Sequence, residues 1–330
     1  MLRPCLALLL AALLSTAGAA RAGPTSAPSA APQNSATASS PIGFRQLVDP
    51  GFEAASGNTL PVEVLEVPKP RANPGPQPDI AITKIGAGDS LASLAADNPA
   101  LAPAIALGEP CRIDWIERCA WVSEKLADTL YEAFRRVGSE PSAHSEPYYY
   151  LSRFGPQDRL IISRTEAFGE GGVSLVNALA DREGNVLKIF EVPFSRSRHG
   201  FEAGSADANV AVLSAAEDDT GAVYLTIDTP SRCSNRSRKA GLLVKADSDL
   251  TSVAWVSPFN VSDTNVVFRG DRIYAASGGS CEKDYLYELD RQSGRVTARN
   301  VLSTAADFLV ATDEVLLVDL YEGAEAYRFR

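Results

Sequence analysis

Residues 285–296 read Tyr285-Leu286-Tyr287-Glu288-Leu289-Asp290-Arg291-Gln292-Ser293-Gly294-Arg295-Val296. A short, aromatic-rich apolar run ends at an Asp. A turn of Arg, Gln, Ser and Gly follows, and Val296 opens a second run of strand-forming residues. That pattern is strand, hairpin turn, strand, with a period of two and no helical spacing.

The same pattern recurs on both sides. From about residue 147 the chain breaks into four units that can be laid over one another. Second strands are predicted at Arg159–Arg164, Val223–Asp228, Arg272–Ser277 and Glu314–Asp319, each preceded by a turn containing Asp or Gly. Third strands are predicted at Ser174–Ala180, Leu242–Ala246, Tyr285–Leu289 and Glu325–Phe329. Fourth strands follow at Val186–Val192, Ser252–Val256 and Val296–Val301, after turns that begin with Asp181, Asp247 and Asp290. A repeated four-stranded antiparallel unit of roughly 40–50 residues predicts a mainly β fold, a β-propeller-like array. Successive second strands begin 64, 49 and 42 residues apart, so an irregular antiparallel sandwich is the alternative.

With its closing Ser293-Gly294-Arg295-Val296, the 285–290 phrase resembles a blade of the PQQ-like (quinoprotein) propeller superfamily. The resemblance covers about half the chain and holds only for the repeat. The Trp that follows the Gly in that repeat is absent. The resemblance therefore implies architecture, and neither quinone binding nor dehydrogenase activity.

The fourth unit reaches Arg330 without a fourth strand, and Val62–Val67 alternates as a strand should. Completing the last blade with an N-terminal strand would remove an exposed edge, so 62–67 is the expected closing strand. Cys233 and Cys281 each follow the second strand of neighbouring units. Equivalent loops of adjacent blades lie side by side, which predicts a Cys233–Cys281 bridge and leaves Cys111 with Cys119.

The 46–146 segment carries a helix as well as the closing strand. Between Trp115 and Val137, apolar residues at 119, 122, 126, 130, 134 and 137 make one amphipathic face, and Gly138 stops it. Two cysteines eight apart in one helix would be about 12 Å apart, too far to bond, so Cys111 must fold back before the helix begins. The other reading makes Cys119–Val122 and Thr129–Phe134 strands. Gly88-Asp89-Ser90-Leu91 is similar to the opening of a LysM glycan-binding module, but the second half of that module is not visible. The simpler reading is a short helix capped by Asp89.

The remaining N-terminal sequence concerns export. Residues 1–22 have Arg3, an apolar run from Leu6 to Leu14 and a small-x-small Ala20-Arg21-Ala22, the features of a signal peptide. Residues 23–45 are rich in Ser, Ala and Pro, which predicts a disordered spacer. Loss of 1–22 removes Arg3, Arg21 and Cys5 and moves the formal charge from −10 to −12. The four remaining cysteines suit two bridges in an oxidising compartment, so the protein is expected to be periplasmic or secreted. No stretch is long and apolar enough for a transmembrane span.

Composition excludes some functions. An acidic chain is a poor general nucleic-acid binder. Two histidines, His144 and His199, cannot build a multi-histidine metal site. There is no Gly-x-Ser-x-Gly elbow, phosphate loop or dinucleotide fingerprint. Glu217-Asp218-Asp219 and Asp247/Asp249 have calcium-binding chemistry but fit no EF-hand loop, so no metal or cofactor is expected. Arg269-Gly270-Asp271 matches an integrin-binding tripeptide, yet a turn explains its Gly and Asp.

One cluster runs against the acidic balance. Arg196, Arg198 and His199 lie in the connection leaving the first unit; Arg232, Arg236, Arg238 and Lys239 lie between the second and third strands of the second unit. Strand directions bring both loops to one face. Gathering cations there suits an acidic protein partner or an anionic glycan. The expectation is an exported, non-catalytic binding scaffold. The alternatives are a carboxylate-based hydrolase or lyase working in the propeller funnel, and an inhibitor or immunity-type protein.

Overall fold

The computed structural model describes residues 58–59, 80–99, 102, 111–113, 116, 119–137, 148–165, 174–194, 208–227, 241–277 and 283–330. The chain divides into two units, Met1–Pro41 and Ile42–Arg330, and every described residue belongs to the second. The signal peptide, the spacer, the 62–67 strand and Cys233 with Cys281 lie outside the described residues.

In chain order the strands are β1 (Asn58–Thr59), β2 (Ile82–Gly88), β3 (Cys111–Ile113), β4 (Tyr148–Phe154), β5 (Arg159–Thr165), β6 (Ser174–Ala180) and β7 (Val186–Glu191). They continue with β8 (Pro193–Phe194), β9 (Ala208–Asn209), β10 (Val212–Glu217), β11 (Val223–Ile227), β12 (Leu242–Ala246) and β13 (Val253–Val256). The last seven are β14 (Val267–Arg269), β15 (Arg272–Ala276), β16 (Tyr285–Asp290), β17 (Val296–Val301), β18 (Ala306–Ala311), β19 (Val315–Leu320) and β20 (Gly323–Phe329). Helices α1 (Leu91–Asp97) and α2 (Glu124–Val137) precede β4.

Four antiparallel units result. Sheet 1 is β7-β6-β5-β4, extended by β3 beside β4 and by a parallel β1 beside β7. Sheet 2 is β10 to β13, sheet 3 is β14 to β17, and sheet 4 is β18-β19-β20-β2. The predicted second, third and fourth strands are all present, within a residue or two at each end. The fold is a mainly β, propeller-like array of four-stranded units.

The burial patterns explain why the repeat could be read. Middle strands are covered on both faces by neighbouring sheets or helices, so they are apolar almost throughout: β11 is buried at all five positions. Outer strands are half covered and mix polar with apolar residues, as in Val296–Val301. At the turn that opens each fourth strand, Asp181, Asp247 or Asp290 accepts backbone N–H groups from the next few residues. The Asp of the repeat is thus a turn former.

Successive sheets share apolar layers. Phe154, Leu179 and Phe190 pack against Val212, Leu225 and Val244 between sheets 1 and 2. Tyr224, Leu243 and Trp255 meet Ile273, Tyr287 and Leu289 between sheets 2 and 3. Tyr274 and Leu286 meet Leu316, Val318 and Tyr327 between sheets 3 and 4. The two remaining faces carry the helices. Ala127 and Leu130 of α2 cover Leu151, Leu160 and Ile189 of sheet 1. Leu91 and Ala95 of α1 cover Val310, Leu317 and Ala326 of sheet 4. The path from β2 through α1 and α2 therefore runs from sheet 4 to sheet 1 and caps both ends of the series.

Three expectations need correction. The strand completing the last sheet is Ile82–Gly88, which pairs antiparallel with β20 from Ile82↔Phe329 to Gly88↔Ala324. Its sequence hid it: of its seven residues only Ile82 is buried, and its place is set by backbone pairing. The cap of α1 is Ser90 rather than Asp89: its hydroxyl accepts from the Ser93 N–H, and Ser93 returns the bond to the Ser90 N–H. Among the described residues of the amphipathic stretch, the α-helix begins at Glu124.

Cys111 does fold back, on β3, and bonds to Cys119 across a Cα–Cα distance of 5.8 Å. Cys119 itself is buried against the α2 side of sheet 1. The bridge closes a short loop, so reduction should cost about 2–3 kcal/mol on the loop-entropy estimate. The check is denaturant unfolding with and without reductant. The loss should be matched by a Cys111→Ala/Cys119→Ala variant that no longer responds to reductant.

Candidate functional site

The first strands of all four sheets line one cavity. Residues 152–155, 215–217, 265–268 and 309–311 surround about 300 Å³. Four equivalent strands meeting at one space is what a radial array around a common axis requires. Polar links tie these strands in sequence. The Ser152 hydroxyl donates to the Ala215 carbonyl and accepts from its N–H, at 3.3 and 3.1 Å. The Ser214 hydroxyl donates to the Thr264 carbonyl at 3.0 Å. The Asn265 amide bonds both ways with the Leu309 backbone, each at 2.7 Å.

This funnel offers little for acid–base chemistry. Among the described lining residues Glu217 is the one carboxylate, and Arg159 holds it at 2.9 Å. Most of the remaining lining is apolar, including Phe154, Val267, Phe268 and Leu309.

The buried carboxylates lie at the sheet junctions instead, each with a tyrosine and a cation. Asp218 accepts from the Tyr224 hydroxyl at 2.8 Å and is ion-paired with Arg291 of sheet 3 at 3.1 Å. Glu288 accepts from Arg272 at 2.6 Å, from Tyr274 at 3.2 Å and from the Ala81 N–H that leads into β2. Glu325 accepts from Tyr327 and from Lys84 of β2 at 2.6 Å. Burial opposes the charge on Asp218, but hydrogen bonds from Thr220, Tyr224 and Ala222 hold its carboxyl below the usual range. For Glu325 burial likewise opposes the charge, and Lys84 and Tyr327 pull the carboxyl down. Burial and the adjacent carboxylate push Tyr224, Tyr274 and Tyr327 upward. The Asp218–Arg291 pair fastens sheet 2 to sheet 3, whereas the Glu288 and Glu325 trios tie strands within sheets 3 and 4. The partners of Asp218 and Glu325 keep those two carboxylates ionised at neutral pH.

The predicted basic residues Arg196, Arg198, His199, Arg232, Arg236, Arg238 and Lys239 all lie outside the described residues. The described strand ends do give their exit points. Val212 pairs with Ile227, and Ile227 with Leu242. The start of β10, the end of β11 and the start of β12 therefore lie at the same end of sheet 2. The turns between first and second strands and between third and fourth strands occupy the opposite end.

At that hairpin end is a second cavity, of about 330 Å³, between the start of α2 and sheet 1. Trp121, Lys125, Arg153, Asp158, Arg182 and Glu183 contribute to it. Arg153 shares its side of β4 with Tyr149 and Leu151, which pack toward α2. Its guanidinium lies over the Trp121 ring, 5.0 Å from the centroid. Sequence reading missed this site. The available signal was an Arg at the third position of the face Tyr149, Leu151, Arg153, where the alternation calls for an apolar residue.

No family model matches the chain, and no curated protein matches it. Solved structures similar to it include the computationally designed Ika8 protein (8% identity, TM-score 0.34, covering 55% of this chain and 46% of that one). Others are BamB from Moraxella catarrhalis (13%, 0.31, 56% and 68%) and a quinohemoprotein alcohol dehydrogenase from Pseudomonas putida HK5 (9%, 0.31, 56% and 39%). The chain thus spans under half of the designed protein and of the dehydrogenase. Likeness at this level carries nothing about activity. The propeller-like architecture rests on the chain's own sheet order and on the cavity shared by its first strands.

Proposed function

We propose that the protein is an exported, non-catalytic binding scaffold, periplasmic or secreted, that holds an acidic protein or anionic glycan on the loop end of its sheets. The observation that supports the reading is the strand register: Val212 and Leu242 both pair with Ile227, so β10, reached after the connection bearing Arg196, Arg198 and His199, starts at the end of sheet 2 where β11 stops and the connection bearing Arg232, Arg236, Arg238 and Lys239 begins. Six permanent cations in two connections of a chain with net charge −10 favour an anionic partner if those connections gather on one face. The funnel supports a scaffold over a hydrolase, because its described lining has one carboxylate, already paired with Arg159. Export is read from residues 1–22, and no described helix is long and apolar enough to cross a membrane.

The test is co-purification from the envelope and medium of the native host, with the mature protein and an Arg236→Glu/Arg238→Glu variant compared side by side. A partner recovered with the wild type should be lost with the variant, and its binding should weaken as salt rises. Equal recovery by both proteins, or recovery unaffected by salt, would sink the reading.

A further inference from the structure

We propose that the cavity between α2 and sheet 1 binds an organic carboxylate carried on an apolar body, with Arg153 gripping the carboxylate. This site lies at the hairpin end and is independent of the loop-end basic face.

The geometry of Arg153 carries the inference. Its guanidinium lies over the Trp121 ring, and its side chain retains 23% exposure. Its nearest carboxylate is Asp158, at 3.9 Å and 57% exposed. That distance is too long for a hydrogen bond. Among the described residues, no acceptor meets any of its N–H groups. The contrast with Arg159 and Arg291 is direct: both reach carboxylates and backbone carbonyls. An Arg seated over a ring, with its donor fork unfilled among the described residues, is placed for two parallel bonds to a carboxylate.

The rest of the cavity fits such a ligand. Lys125 stands on the α2 wall with no ion pair among the described residues, and Arg182 is balanced by Glu183 at 2.6 Å. Leu126, Leu160 and the Trp121 ring supply an apolar wall. A volume of about 330 Å³ accommodates an amino-acid-sized or aryl-acid-sized body. Asp158 is the one group set against the ligand. Its weak hold on Arg153 would be exchanged for the ligand's stronger one.

The experiment is calorimetric titration of the full mature protein with 3-phenylpropanoate, with 3-phenylpropanamide as the same-shape neutral control, and with inorganic phosphate. The acid should bind about ten- to hundredfold more tightly than the amide, the worth of a charge-assisted bond. Arg153→Lys keeps the charge and removes the fork, and should lose about tenfold; Lys125→Gln, on the helix surface, should lose severalfold without disturbing folding. Asp158→Asn should gain severalfold, an effect that damage to the fold would not produce. The Trp121 indole signal in a ¹⁵N–¹H spectrum, identified with Trp121→Phe, should move on titration.

A peptide ending in Phe, as acid and as amide, separates the two sources of the carboxylate. Tighter binding of the peptide acid points to chain termini, and tighter binding of the free acid points to small metabolites; both support the site. Equal binding of acid and amide overturns it. So does binding of phosphate as tight as the acid, unchanged affinity in Arg153→Lys and Asp158→Asn, or a silent Trp121 signal.

Discussion

Asp218→Ala should destabilise the protein by about 3–5 kcal/mol, the cost of removing one partner from a buried ion pair. The Asp218 side chain is fully enclosed and serves two ends at once. Within sheet 2 it accepts from Thr220 and Ala222 and so forms the β10–β11 turn. Across the junction it forms an ion pair with Arg291 of sheet 3, and it accepts a hydrogen bond from the Tyr224 hydroxyl. Its removal leaves the buried Tyr224 hydroxyl without its acceptor and leaves Arg291, 17% exposed, with the exposed Asp219 and the Gly270 carbonyl. Asp219 is the internal control. It also touches Arg291 but is 78% exposed, so Asp219→Ala should cost under about 1 kcal/mol.

The same carboxylate gives a pH signature. Its folded pKa is lower than in the unfolded chain, so its contribution is full above about pH 4 and is lost as pH falls through the folded value. Denaturant unfolding of both proteins from pH 7 down to pH 2 should show the gap between wild type and Asp218→Ala narrowing only below about pH 4. A constant gap would mean that packing alone, without the charge, accounts for the loss.

How much of this was legible in the sequence depends on what fixes each residue. Middle strands are sandwiched between sheets, so their composition must be apolar, and Leu242–Ala246 and Ser174–Ala180 could be placed to the residue. Turn carboxylates are set by local backbone bonds and were equally visible. The closing strand was not. Ile82–Gly88 pairs through its backbone and buries one side chain, while Val62–Val67, with its better alternation, attracted the assignment. The trios at the junctions were also hidden, because Asp218 meets Arg291 and Lys84 meets Glu325 across long stretches of chain. Trp121 and Arg153 meet only because α2 folds onto sheet 1. Nothing local in either segment announces the other.

Gly323→Val should be strongly damaging, and it tests the closing strand directly. Gly323 opens β20 with φ +99°, a conformation that costs an L-residue about 1–3 kcal/mol. A Cβ placed there would lie 2.6 Å from the carbonyl oxygen of Gly88, the last residue of β2. That neighbour is backbone held in the ladder and has no rotamer by which to yield. Strain and overlap together should cost about 3–5 kcal/mol. Gly270 separates the two causes. It too has a positive φ, +59°, but nothing lies within 4 Å of its Cβ position. Gly270→Ala should therefore lose only about 1–2 kcal/mol. Native-state hydrogen exchange locates the damage. In Gly323→Val the amides of Ile82–Gly88 should lose protection well before those of β15 and β16, since the overlap pushes β2 off β20. If Gly323→Val weakens all four sheets equally, or leaves 82–88 protected, then β2 is not what completes the fourth sheet in solution. Selective exchange there, with Gly270→Ala close to wild type, would show that one N-terminal strand closes a series otherwise built in sequence order.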